Sequence, residues 1–246
     1  MGSAYLPLVH ATPLAVDETV TLGPEVAGGL AFRQVNVKEA FTVRDGAGRY
    51  FRASLLERGE RSARALVYER MPTSPESPIA LTVLVSVLAR QRMIFVCQKA
   101  AELGAARLVP VFTDHGVPPG KALEKEKPWA WQGQGLKGSR QCRRASVMEV
   151  TSPLGFTAAL ASAHWRDAEA RFALDDAGAP PAEAFARAPS GATRVALFVG
   201  PEGGFSAAER AALQEHAVRF GGRVVRAETA VLMGLTLLQQ RFGDLG

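Results

Sequence analysis

The stretch Leu197-Phe198-Val199-Gly200-Pro201-Glu202-Gly203-Gly204-Phe205-Ser206-Ala207-Ala208-Glu209 runs an apolar strand into a glycine loop and then into a helix start. The apolar run stops at Gly200. The glycines that follow permit positive φ and let a ligand approach the backbone closely. Ser206 and Glu209 have the S-x-x-E spacing of a capping box, so a helix begins at Ala207. A strand, a glycine loop and a capped helix put open backbone groups at the carboxyl end of a parallel sheet, where ligands bind in α/β folds.

Outward from this unit, strands alternate with helices. Strands are expected over Ile79 to Ala89, Arg107 to Phe112, Val147 to Val150, Arg171 to Leu174 and Val195 to Val199. Helices are expected over Met93 to Leu103, Phe156 to Trp165, Ala207 to Arg219 and Thr229 to Phe242. Alternation of this kind implies an α/β domain with a parallel sheet. The N-terminal part has a different texture. Phe41 and Val43 alternate with polar neighbours, Asp45-Gly46-Ala47-Gly48 supplies a turn, and Phe51, Ala53 and Leu55 continue the alternation. That pattern is a hairpin with one buried face, with a third strand through Ala63 to Tyr68. Pro72 to Pro78 has three prolines in seven residues and reads as a linker. The expected organisation is a small β-rich domain over 1–71, a linker over 72–78 and an α/β domain over 79–246.

Of the 246 residues, 47% are hydrophobic and 22% charged, an ordinary globular composition. Arg90 and Arg92 interrupt the longest apolar run, so no membrane span is expected, and the N-terminus lacks a secretory pattern. Cys97 and Cys142 are too few for a disulfide framework, and the four histidines have no ligand spacing, so no metal is expected. Between Lys121 and Arg144 lie seven cations, including Lys137, Arg140, Arg143 and Arg144, against Glu124 and Glu126. This segment accounts for the whole net charge of +5. Trp129 and Trp131 sit within it, and cations interleaved with aromatic faces are what single-stranded RNA requires. A solvated loop with incidental charge has the same composition.

A second motif, Phe220-Gly221-Gly222-Arg223-Val224-Val225-Arg226-Ala227-Glu228-Thr229-Ala230, places a glycine pair before a short strand and an Arg-x-Glu-Thr element at the start of a helix. Thr229 is a candidate N-cap, and Arg226 and Glu228 could pair with each other. Together the two motifs resemble the RsmE-type family of 16S ribosomal RNA uridine-N3 methyltransferases, with its G-P-E-G-G loop and later L-G-x-R-I-L-R-x-E-T-A element. Gln98-Lys99-Ala100-Ala101-Glu102-Leu103-Gly104 and the terminal Gly243-Asp244 are similar to the family as well.

The resemblance implies a trefoil-knotted (SPOUT) parallel-sheet domain preceded by a small PUA-like β-barrel. It also implies S-adenosyl-L-methionine held by the knot loops, a homodimer with an active site drawn from both subunits, and ribosomal RNA of the small subunit as cytoplasmic partner. On this reading Leu174, Val199, Gly200, Pro201, Glu202, Gly203, Gly204, Gly221, Arg226 and Thr229 bind the cofactor. Arg226, Glu202 and Glu228 are the catalytic candidates. Lys99, Trp129, Trp131, Lys137, Arg140, Gln141, Arg143 and Arg144 are the candidates for RNA contact.

The chain departs from the family where Asp114-His115-Gly116 replaces Glu-Arg-Ser and where Arg140 replaces an acid. These changes leave open another RNA target, or a ribosome-binding protein without activity. Gly133-Gln134-Gly135-Leu136-Lys137-Gly138 spells G-x-G-x-x-G, but no strand precedes it and no ribose-binding acid follows, so it is no dinucleotide site. Its glycines also make it a poor helix by propensity.

Overall fold

The computed structural model describes residues 3–245, so Met1, Gly2 and Gly246, at the ends of the two expected domains, lie outside the described residues. The backbone divides into two compact units, Met1–Glu76 with Ser139–Val147, and Ser77–Gly138 with Met148–Gly246.

The first unit contains β1 (Thr19–Leu22), α1 (Pro24–Phe32), β2 (Ala40–Arg44), β3 (Tyr50–Arg58) and β4 (Ala63–Arg70). The strands form one antiparallel sheet in the order β1-β4-β3-β2. Phe41 stands opposite Ala53 and Val43 opposite Phe51. These side chains form a core with Leu22, Leu30, Leu55 and Val67. The turn is held by Asp45, whose carboxylate accepts from the Ala47 and Arg49 backbone N–H groups and from the Arg49 guanidinium. The β-rich reading of the N-terminal part includes no helix at α1; no side chain caps it, and burial of Val26, Ala27 and Leu30 holds it in place.

The sequence reading keeps residues 139–147 within 79–246, whereas the backbone groups them with the first unit. The reason is main-chain bonding. Thr42 Oγ1 donates to the Arg143 carbonyl at 2.7 Å, and Val147 N donates to the Tyr5 carbonyl at 3.0 Å. The Ala145 and Ser146 N–H groups both reach Glu76 Oε1 at 2.8 Å.

The second unit contains β5 (Ala80–Ser86), α2 (Arg90–Glu102), β6 (Arg107–Phe112), the short α3 (Pro119–Lys121), α4 (Trp131–Gln141), β7 (Glu149–Val150), β8 (Leu154–Gly155), α5 (Phe156–Ala161) and α6 (Ala163–Arg166). It continues with β9 (Ala170–Ala179), α7 (Pro181–Ala186), β10 (Arg194–Val199), α8 (Ala207–Leu213), β11 (Ala217–Val218) and α9 (Ala227–Phe242). Seven strands form an α/β sheet in the order β11-β9-β10-β5-β6-β7, with β8 also on β6, and every pairing is parallel. Along β5 the side chains alternate between two apolar layers. Val83 and Val85 join α2 and α9, while Leu84 joins α5 and α8.

Four local expectations are corrected. The helix over Phe156 to Trp165 breaks at Ser162, whose extended backbone (ψ 155°) separates α5 from α6. The helix from Ala207 ends at Leu213, and Ala217–Val218 joins the sheet. No strand forms over Arg223 to Val225, because nothing covers it: Val224 is 97% exposed. The poor helix around Gly133 to Gly138 is in fact α4. A Cβ on Gly138 would stand 2.9 Å from Ala101 Cβ, so the glycine lets α4 approach α2 more closely than any other residue would.

Candidate active site

β10 lies inside the sheet between β9 and β5, and its carboxyl end opens into the loop from Gly200 to Phe205. Gly204 has φ 70°, a left-handed conformation that favours glycine, and its N–H closes a turn on the Pro201 carbonyl at 2.9 Å. The capping box forms as expected: Ser206 N donates to Glu209 Oε2 at 3.0 Å and Glu209 N to Ser206 Oγ at 3.4 Å. Glu209 also does something its sequence position does not reveal. Its Oε1 accepts the Asp114 N–H at 2.9 Å, while Ser206 Oγ donates to Asp114 Oδ2 at 2.6 Å. His115 Nδ1 lies 3.2 and 3.1 Å from the Gly203 and Gly204 carbonyls. The turn after β6 is thereby tied to the glycine loop at two points and to the start of α8 at two more.

Against this loop lies a cavity of about 280 Å³. Its walls come from the end of β9 (Leu174 to Asp176), the glycine loop, residues Arg219, Phe220 and Arg223 to Val225, and the start of α9 (Ala227, Ala230, Met233). Of the residues expected to hold a cofactor, Leu174, Val199, Gly200, Pro201, Glu202, Gly203 and Gly204 line it, and Gly221, Arg226 and Thr229 do not. Thr229 is not the N-cap. The helix starts two residues earlier, and Arg226 holds that position without a side-chain bond. Nor do Arg226 and Glu228 pair. Glu228 Oε1 lies 3.8 Å from Arg92 Nε, and the same guanidinium bonds Glu202. Arg92, on the first turn of α2, thus stands between two of the catalytic candidates, and no local motif announces it. Asp175 is bridged to Arg210 of α8 at 2.8 Å, across the edge of the cavity.

The expected RNA-contact residues fare unevenly. Trp129 is 69% exposed, but Trp131 is fully buried in the core, so its ring offers no face to a base. Lys99 pairs with Glu102 at 2.8 Å, and Lys137, Gln141 and Arg143 are exposed. Arg140 pairs with Glu39 at 2.8 Å, and Arg144, its side chain nearly buried, pairs with Glu76 at 3.1 Å. Cys97 and Cys142 are not joined in a disulfide, and burial pushes the Cys97 thiol up to about 12. Among the described residues no helix is long and apolar enough to cross a membrane, and no cluster of acidic, His and Cys side chains could hold a metal.

Known proteins align with this arrangement. The Ribosomal RNA small subunit methyltransferase E of Buchnera aphidicola subsp. Schizaphis graminum is 24% identical over 214 residues, covering 85% of this chain and 84% of that protein. The crystal structure of a Ribosomal RNA small subunit methyltransferase E from Neisseria gonorrhoeae, bound to S-adenosyl methionine, superposes with a TM-score of 0.67 at 25% identity. The match covers 98% of this chain and 100% of that one. A putative methyltransferase from Legionella pneumophila, in complex with the same cofactor, has the same fold, with a TM-score of 0.66 at 24% identity over 97% of this chain and 98% of that one. The family model of the RNA methyltransferase domain matches residues 75–239, which include β5 to β11, the glycine loop and most of α9, and the chain belongs to that family.

Proposed function

We propose that this protein transfers a methyl group from S-adenosyl-L-methionine to N3 of a uridine in 16S ribosomal RNA of the small subunit, in the cytoplasm. The observation that carries the reading is the glycine loop forming one wall of a cavity at the carboxyl end of a central parallel strand. The cofactor fits the lining. Leu174, Val218 and Met233 offer apolar surface to a purine, while Asp176 and Glu202 offer carboxylates to ribose hydroxyls and to a cation.

When bound, the cofactor supplies an electrophilic methyl group. This chain's residues must then align the acceptor and make it nucleophilic. Holding both reactants in attack geometry contributes roughly 7–11 kcal/mol of the barrier. Uridine N3 carries a proton and lies on the pairing edge, so the base must be single-stranded or extruded. Arg226 is exposed and has no ion-pair partner among the described residues. We assign it to the uracil carbonyls, where a guanidinium stabilises the charge left on deprotonation. Glu202 or Glu228, both addressed by Arg92, accepts the proton or orients the acceptor. Glu228 Oε2 is buried without a hydrogen-bond partner, which leaves it an open acceptor.

A trefoil knot is part of the proposal. It is supported by the chain's path from β10 outward to β11, beside β9, and back into the core layer that packs on β5 and β10 as α9. Closure of the antiparallel sheet into a PUA-like barrel belongs here too, supported by the parallel bridge from Val9 to Arg44 beyond β2. So does a homodimer completing the site, for which Val224, bare beside the cavity, is a natural contact. The boundaries 1–71, 72–78 and 79–246 are retained as the proposed division of labour between RNA binding and methyl transfer.

The test is transfer from methyl-labelled S-adenosyl-L-methionine to small ribosomal subunits that lack this modification, with the product nucleoside identified by mass spectrometry. Labelled 3-methyluridine, lost in Arg226→Ala, is the expected result. Cofactor binding without product would move the protein to another RNA target.

A further inference from the structure

The first unit contains a second cavity, of about 240 Å³, that methyl transfer does not use. Arg33, Thr42, Arg52, Arg140, Gln141 and Arg144 are among the residues that line it. Two of the four guanidinium groups are matched by carboxylates, Arg140 by Glu39 and Arg144 by Glu76. The other two have no ion-pair partner among the described residues. Arg33, 5% exposed, spends its donors on the carbonyls of Ala4, Leu6, Gly29 and Ala145. Burial pushes its pKa down to about 10, although Glu76 acts in the opposite direction.

Arg52, on β3, is 9% exposed and differs in one respect. Its Nη1 donates to Thr42 Oγ1 at 2.9 Å, and that hydroxyl in turn donates to the Arg143 carbonyl at 2.7 Å. The guanidinium is thus fixed in orientation. Yet its Nε–H is buried and meets no acceptor. A buried charged donor left unsatisfied is costly, and native proteins rarely keep one unless something fills the place. The arginine fork matches the oxygens of a phosphate.

We propose that this cavity is an anion site that takes a backbone phosphate of the RNA strand, with Arg52 as its principal ligand and Thr42 as the residue that orients Arg52. The identity of the anion rests on the RNA-substrate reading above. An incoming phosphodiester oxygen accepts from Arg52 Nε, and the charges of Arg33 and Arg52, neither held in an ion pair among the described residues, favour an anion of one or two charges. The site sets the register of the strand and carries no base preference of its own.

The test is equilibrium binding of a fluorescein-labelled single-stranded oligoribonucleotide to the full chain, read by anisotropy over a salt series. Titrations of S-adenosyl-L-methionine and of inorganic pyrophosphate run alongside. Arg52→Met should weaken RNA binding about tenfold or more, as loss of a charge-assisted contact does. It should also reduce the slope of log K against log salt by roughly 0.7, the value for one phosphate of a single strand. Cofactor binding should not change. Should Arg52→Met fail to fold, Arg52→Lys keeps the charge and loses the Nε–H, so affinity should fall while the salt slope stays as in the wild type. Unchanged RNA affinity and slope in a folded variant would overturn the proposal. So would a variant that lowers stability alone, or one that loses pyrophosphate but not RNA, which would make the cavity a site for free phosphate. Loss of RNA affinity in a protein that never methylates RNA would sink the enzymatic reading and leave the anion site standing.

Discussion

Glu209 Oε1 accepts the backbone N–H of Asp114 at 2.9 Å, so a residue that caps a helix also fastens the turn after β6, two strands along the sheet from β10. The residue is 3% exposed, and its carboxylate serves two backbone donors at once. It couples the position of the turn after β6 to the start of α8, and so to the glycine loop between them.

Glu209→Ala removes both bonds and leaves the Asp114 and Ser206 N–H groups without their acceptor. The expected cost is about 1–3 kcal/mol of stability, with a weaker hold on the cofactor, because the loop it anchors lines the cavity. Urea denaturation and cofactor titration on the same variant read the two effects. A loss of stability with unchanged cofactor affinity would show that the loop keeps its shape without this tether.

Two glycines of α4 should respond in opposite ways. A Cβ on Gly133 meets nothing within 4 Å, so Gly133→Ala should stabilise by up to about 1 kcal/mol through helix propensity. Gly138→Ala sets a methyl 2.9 Å from Ala101 Cβ and should cost about 1–3 kcal/mol through overpacking. Thermal unfolding of the pair separates propensity from packing.

His216 packs edge-on against Trp165 with ring centroids 5.3 Å apart. Burial holds its pKa below the ordinary 6.5, Arg171 adds to this and Glu215 opposes it. A depressed histidine contributes stability above its unfolded-state value, and that contribution is lost as pH falls through the folded-state value. Acidification from neutral pH should therefore destabilise the protein, and His216→Gln should reduce that loss. Parallel denaturation curves at neutral and mildly acid pH give the comparison.

The thiols should be told apart by alkylation. Cys97 is fully buried with its pKa near 12, and Cys142 is half-buried. Iodoacetamide should modify Cys142 in the native protein and Cys97 only after unfolding, as peptide mass spectrometry would show. Equal labelling of the two would mean that α2 opens readily.

Some of this was legible in the sequence because the cause is local. The Gly200 to Gly204 loop and its Ser206 to Glu209 cap are dictated by neighbouring residues, and the structure forms both. The hairpin at Asp45 is local in the same sense. What stayed hidden depends on distant partners. Arg92 reaches Glu202 from 110 positions away, and nothing around it distinguishes it from Arg90. The helix at α4 defies its glycines because a neighbouring helix requires their smallness. Trp131 sits among basic residues in the chain yet belongs to the core, since composition does not say which way a side chain turns. Val224 misled in the opposite direction, an apolar residue in a strand-like run that nothing covers in this chain.

The most direct test of the central claim is calorimetric titration of S-adenosyl-L-methionine into the protein and into Ala230→Phe, which fills the cavity from the first turn of α9. One cofactor per chain in the wild type, abolished in a variant that keeps its fold, is the predicted result. Absence of binding to the wild type, or binding that survives in the filled variant, would contradict it.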